Sequence, residues 1–284
     1  MAQKIPPNAF AFYIAHSALS DPAGYGRQFD ALPDAVAELC GVVQTLLIHD
    51  DFGAHLYGLA PEAFRNASRQ TLPVPQRLGQ LGPRPFSRTR ASADRAIGTC
   101  RDFALLLCAC LRHKGTPARV RCGFARYFHP PSSEDHWVCE YWHAAADRWA
   151  IADAQLDPEH RAHLCLTFDV TDIPPTEFVF PWQAWQLSRA DPCKAQAFGH
   201  GETTGARFIH VNLARDLLAL VKQETSDWDS WREMDEAEQP LSSALLSQGD
   251  YLAELSQKIS DCDIIDAGLL DRVAQALPKP PWYG

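Results

Sequence analysis

The segment GTCRDFALLLCACLRHKG, residues 98–115, carries no polar side chain from Phe103 to Leu111. A helix apolar on every face belongs inside a core, because no face of it can meet water cheaply. Its limits are marked. Gly98 and Thr99 supply a turn and an N-cap, Asp102 sits in the first turn, and Gly115 lies just past the far end. Cys100 therefore opens a buried helix, where unpaired backbone N–H groups and the helix dipole favour negative charge. That position lowers the pKa of a thiol and provides donors for an oxyanion. Cys108 and Cys110, mid-helix among leucines, have neither advantage.

Three strands are expected after this helix. Val120, Cys122 and Phe124 alternate with Arg119, Arg121 and Gly123, the pattern of a half-buried strand. HWVCEYWH, residues 136–143, sets Trp137, Cys139 and Tyr141 on one side and Val138, Glu140 and Trp142 on the other. RWAIADAQLD, residues 148–157, follows the short AAAD connection with Trp149, Ile151 and Asp153 on a common face. One helix followed by adjacent strands and short turns is an α+β signature. A nucleophilic thiol needs a base, and the base needs an orienting group. Folding the last two strands about AAAD sets residue 136 opposite 153, give or take one, so His136 and Asp153 can meet. Asp157 is a rival on the same strand, and hairpin register favours Asp153.

The blocks GTCRDFALLLCACLRHKG, PARVRCGF, HWVCEYW and RWAIADAQLD resemble the catalytic core of the transglutaminase-like superfamily, over residues 95–157. The resemblance implies a papain-like α+β fold, a buried Cys-bearing helix on an antiparallel sheet. It implies Cys100 as nucleophile, His136 as general base and acid, and Asp153 as orienting carboxylate. It further implies acyl transfer or amide hydrolysis through a thioester acyl-enzyme, with no metal or organic cofactor. The acyl donor it implies is a peptide or small molecule, and the acceptor water or an amine. Arg101 and Trp137 are candidate substrate-binding residues. A silent module binding a peptide or protein partner in the same cleft is the alternative from another class.

A second cluster, HDDFGAH, holds His49, Asp50, Asp51 and His55, a set that can ligate a divalent metal and would suit a metal-dependent hydrolase. His49 and His55 are six apart and do not share a helix face, and a polar helix end explains the cluster as well. Arg119, Arg121 and Arg126 form a possible basic wall near the site.

The rest of the chain is read more coarsely. Val36, Leu39, Cys40, Val43 and Leu47 share one helical face, with Pro33 at the first helical position and Asp34 beside it. Residues 73–96 are a long loop or a string of turns, 156–197 are irregular, and FGHGETTG at 198–205 is a linker or exposed loop. Helix returns around Leu213–Val221 and again around Leu269–Leu277. WDSWREMDEAE, 228–238, is a charged region that packs and solvates its charge or else covers the core, binds a partner or acts as a lid, and PKPPWYG, 278–284, is extended. The division expected is a mostly helical N-terminal part of the core over 1–90, the catalytic core over 91–200, and a helical C-terminal extension over 201–284.

The 284 residues carry a net charge of −9, from 26 Lys+Arg against 35 Asp+Glu. That balance disfavours nucleic acid and anionic membrane as partners, since both demand concentrated positive charge. Nine cysteines, an odd number with no C-x-x-C pair, read as thiols of a reducing compartment. No segment approaches the roughly 20 apolar residues of a membrane span, and the expectation is a cytoplasmic protein. The oligomeric state is open.

Overall fold

Residues Cys100–His113 form the helix that the apolar run demands, and every residue from Phe103 to Leu111 is buried. The computed structural model describes residues 7–64, 71–225, 241–261 and 265–277; WDSWREMDEAE and PKPPWYG lie outside the described residues. In chain order the α-helices are α1 (Pro7–Ile14), α2 (Gly26–Asp30), α3 (Val36–Leu46), α4 (Gly53–Tyr57), α5 (Val74–Leu78) and α6 (Cys100–His113). They continue with α7 (Pro158–His163), α8 (Pro181–Ala190), α9 (Ala206–Leu220), α10 (Ser243–Ser260) and α11 (Ala267–Ala276). The strands are β1 (Leu47–His49), β2 (Ala96–Gly98), β3 (Ala118–Ala125), β4 (Ser133–His143), β5 (Arg148–Ala152), β6 (Phe178–Val179), β7 (Phe198–His200) and β8 (Thr203–Thr204). The fold is α+β: a buried Cys-bearing helix packed on a mainly antiparallel sheet.

The start of α6 is built from its own residues and one arginine. Thr99 is the N-cap, and its amide donates to Asp102 Oδ2 at 3.0 Å. Arg77 Nη2 holds the same oxygen at 2.8 Å. Helix and carboxylate are thereby locked together. Immediately before this cap, β2 pairs in parallel with β1, Ile48 opposite Ile97 and His49 opposite Gly98. Because Leu47 enters β1, α3 ends one residue earlier, at Leu46. It also begins at Val36, after an extended Ala35, so Pro33 and Asp34 precede the helix instead of opening it.

The larger sheet runs β6–β3–β4–β7–β8, with β5 also on β4. On one face Val120, Cys122, Trp137, Cys139, Ala150 and Ala152 share a core with α3 and α6. The other face corrects the half-buried reading of β3, whose eight residues are all buried. Arg119 Nε and Arg121 Nη1 each donate to Glu140 Oε2 at 2.6 Å, and Arg121 Nε reaches Asp216 Oδ1 of α9 at 2.8 Å. Ser256 of α10 adds a hydroxyl to Asp216 at 3.1 Å. Burial pushes the Glu140 carboxyl up, but Arg119 and Arg121 outweigh it and hold it below the ordinary range. α9 and α10 thus dock on charges that a single sheet would leave in water. Arg119 and Arg121 are spent on this docking and form no basic wall at the site.

Two irregular readings are also corrected. Pro181 starts the ten-residue α8, with Pro suited to a first helical turn. FGHGETTG is no linker: Phe198–His200 and Thr203–Thr204 pair as a hairpin, and Phe198 and Gly199 lie parallel to Ser133 and Glu134 of β4. No helix among the described residues is long and apolar enough to cross a membrane.

Candidate active site

A cleft of about 430 Å³ opens at the start of α6, and Cys100 and His136 both line it. Cys100 is the first residue of the helix and half-buried, whereas Cys108 and Cys110 are fully enclosed. Burial drives the Cys110 thiol far up and pushes Cys40 up to about 12, so neither ionises near neutrality. Among the described thiols, Cys165 and Cys193 are exposed and neither lines the cleft.

His136 Nε2 lies 2.7 Å from Asp153 Oδ2. The route differs from the hairpin expectation. Cys139 pairs with Ala152 and His143 with Arg148, a register that sets residue 138, not 136, opposite 153. The shift is two residues, so the side of the sheet is preserved. β5 has already ended at Ala152, and Asp153 reaches back diagonally from the bend that follows. Asp157 takes no part: it caps α7, with Oδ1 accepting from His160 N at 3.0 Å and Nδ1 at 2.9 Å, and Tyr57 donates to its other oxygen.

Asp153 is held from three directions. Besides His136, Tyr127 Oη donates to Oδ2 at 2.8 Å and the Gln155 amide to Oδ1 at 3.0 Å. A carboxylate only accepts, so a neutral His136 facing it carries its proton on Nε2 and presents Nδ1 as the acceptor. Phe128 meets the imidazole edge-on at 4.8 Å and Tyr127 at 6.0 Å, leaving the ring little room to turn. Burial, with Asp153 alongside, drives the Tyr127 phenol well above its ordinary range and keeps it a donor.

Residues 78–154 match the family model of the transglutaminase-like superfamily. The chain carries a transglutaminase-like core. The matched span contains Cys100, His136 and Asp153, and it starts earlier than the resemblance read over 95–157. No curated protein matches the sequence. Among solved structures, a candidate cysteine protease from Cytophaga hutchinsonii is similar at 16% identity and a TM-score of 0.35, over 54% of this chain and 43% of that one. The likeness therefore spans less than half the length of that protein.

Other expected site residues fall outside the cleft of this transglutaminase-like core. Arg101 is 1% exposed and turned away, its Nε donating to the Glu224 carbonyl at 3.0 Å and its Nη1 to that of Leu72 at 3.1 Å. It clamps the segment after α9 onto α6. Trp137 packs in the α6 core at 1% exposure and is not among the residues lining this cleft. Asp102 in the first turn is buried as well, at 5% exposure.

His49, Asp50 and Asp51 do gather, one potential ligand atom of each lying within 4.8 Å of the others, while His55 is not among them. The Asp51 amide donates to His49 Nδ1 at 3.2 Å and to Asp50 Oδ1 at 2.9 Å, which closes a turn after β1. It matters because it lines the same cleft as Cys100. Sequence reading missed Tyr127, Gln155 and the hairpin residues His200 and Thr203 as parts of the site. The DAQ spacing is a signal for Gln155; nothing local marks the others.

Proposed function

We propose that this protein is a cysteine enzyme catalysing acyl transfer or amide hydrolysis, with Cys100 as nucleophile, His136 as base and acid, and Asp153 as orienting carboxylate. The observation that carries this reading is the 2.7 Å His136–Asp153 contact behind the wall of the cleft that His136 and the helix-start residue Cys100 both line. His136 Nδ1 takes the thiol proton, and Sγ attacks the carbonyl carbon of an amide or thioester. The oxyanion is stabilised by backbone N–H groups at the start of α6. Nδ1–H then protonates the leaving amine or thiolate, leaving an S-acyl enzyme. Water or an amine, deprotonated by the same nitrogen, attacks the thioester and releases Cys100 as it began. The donor is a peptide or small molecule.

The test begins without a substrate. Iodoacetamide labelling is followed thiol by thiol against pH, in wild type and His136→Ala. Cys100 should label below the ordinary thiol pKa of about 8.5 and well ahead of the exposed Cys165 and Cys193, an advantage lost without His136. Labelling of Cys100 no faster than those references would sink the reading. Turnover of an identified amide or thioester substrate that survives Cys100→Ala would sink it too.

A further inference from the structure

The cleft is walled by acid. Asp50, Asp51, Glu134 and Asp135 line it, and Arg215 is the lone arginine or lysine among its described lining residues. Two of these four carboxylates accept from neutral donors: Asp50 Oδ1 from the Asp51 amide at 2.9 Å, and Asp135 Oδ1 from Asn212 Nδ2 at 2.6 Å. Such donors fix a carboxylate without cancelling its charge. His200 reaches Glu134 at 2.5 Å and His49 lies 3.4 Å from Asp50, which lightens two of the four. Four carboxylates against one arginine make the described lining acidic.

An independent observation points to a donor-bearing ligand. Gln155 lines the same cleft at 1% exposure, and its Oε1 has no hydrogen-bond partner among the described residues. A buried carbonyl oxygen left without a donor is destabilising, and a substrate N–H would satisfy it. Acidic walls and a waiting acceptor favour a ligand rich in N–H donors and positive charge. Phe52, Phe128 and Phe208 supply an apolar surface in the same cleft for the stem of such a group.

We infer that the cleft selects acyl substrates carrying an aliphatic ammonium or guanidinium group, with Gln155 accepting an N–H from the substrate. The acyl assignment rests on the acyl-transfer reading above; the cation-selective surface does not.

Three methanethiosulfonates of matched size, bearing trimethylammonium, a neutral group or sulfonate, test the charge preference on the full chain. Rates at Cys100 are read by peptide mass spectrometry and normalised to 2-mercaptoethanol. The normalised cation-to-anion ratio should be about tenfold or more at low ionic strength and shrink as salt rises. Asp51→Asn, at an exposed position, should lower it by about threefold, and Glu134→Gln should lower it as well. A ratio near one, or one that neither variant moves, overturns the inference. Protection separates two sources of the same cation. Nα-acetylarginine amide slowing the labelling more than Nα-acetylnorleucine amide supports an acyl substrate. Equal slowing by n-butylammonium assigns the cation to an amine acceptor instead and overturns the acyl assignment. If His136→Ala slows no reagent while the ratio persists, the acyl-transfer reading fails and the cation selectivity stands.

Discussion

His136 and Asp153 meet at 2.7 Å although they are not opposite one another in the β4–β5 ladder. The contact depends on the chain leaving β5 at Ala152, so that Asp153 turns towards a histidine it would otherwise pass. Asp153→Asn tests what the carboxylate does. An amide can present its N–H to Nε2, which favours the tautomer with the proton on Nδ1 and removes the lone pair that faces away from residue 153. Cys100 labelling near pH 7 should fall by at least about tenfold, approaching the rate in His136→Ala, with little change in the thermal midpoint. Labelling at the wild-type rate would mean that Asp153 does not set the tautomer.

Tyr127 shares Asp153 Oδ2 with His136, donating at 2.8 Å. Tyr127→Phe keeps the ring against the imidazole and removes one buried hydrogen bond, a loss of about 1–3 kcal/mol. Urea denaturation should show that loss, and Cys100 labelling should slow by a few-fold as Asp153 gains freedom. Loss of stability with unchanged labelling would make Tyr127 a purely structural partner.

Asp216 bridges α9 to the sheet by accepting from Arg121 Nε at 2.8 Å and from Nη2 at 2.9 Å, with both side chains fully buried. Asp216→Ala strands part of that guanidinium and should cost about 3–5 kcal/mol by chemical denaturation. Arg121→Met in the same background should recover part of it, since the uncompensated charge then disappears.

Glu134 and His200 tie β4 to the β7–β8 hairpin across the cleft. The hydrogen bond to Glu134 raises the His200 pKa above 6.5, against the opposing effect of burial. The folded state therefore holds this proton more tightly than the unfolded chain. The stabilisation is complete below about pH 6.5 and fades as pH rises through the higher folded value. Wild type should exceed His200→Gln in thermal midpoint at pH 5.5, and the gap should close by pH 9. A gap of the opposite slope would show that the pair does not hold the hairpin.

Gly123 faces His136 in the β3–β4 register, and a Cβ there would stand 2.5 Å from the Phe178 ring and 2.8 Å from the Val179 carbonyl. Gly123→Ala should destabilise by about 1–3 kcal/mol through forced repacking, and by displacing β6 it should also slow Cys100 labelling. Retention of both the urea midpoint and the labelling rate would show that β6 yields without cost.

Several features were legible in the residues because their causes are local. Apolar residues at 103–111 can only be a buried helix, Thr99 and Asp102 mark its start, and alternation marks β3, β4 and β5. The α+β core and the candidate Cys100, His136 and Asp153 follow from order and spacing. Other features depend on distant partners that spacing does not reveal. Arg101 and Trp137 read as cleft residues because they flank Cys100 and His136. Helical and strand geometry turns each away from its neighbour, and both are buried elsewhere.

Sequence by itself determined where a thiol meets a helix dipole and which strands follow, since both are written in consecutive side chains. Tertiary structure alone decided the sign and lining of the cleft. It sends Arg119 and Arg121 beneath α9 and α10, where Glu140 and Asp216 neutralise them. It brings Asp50 and Asp51 from the turn after β1, and His200 from a hairpin far along the chain, to the mouth where Cys100 opens. Charge acts through space and not along the chain, so a site assembled from separated segments takes its character from the packing that brings them together.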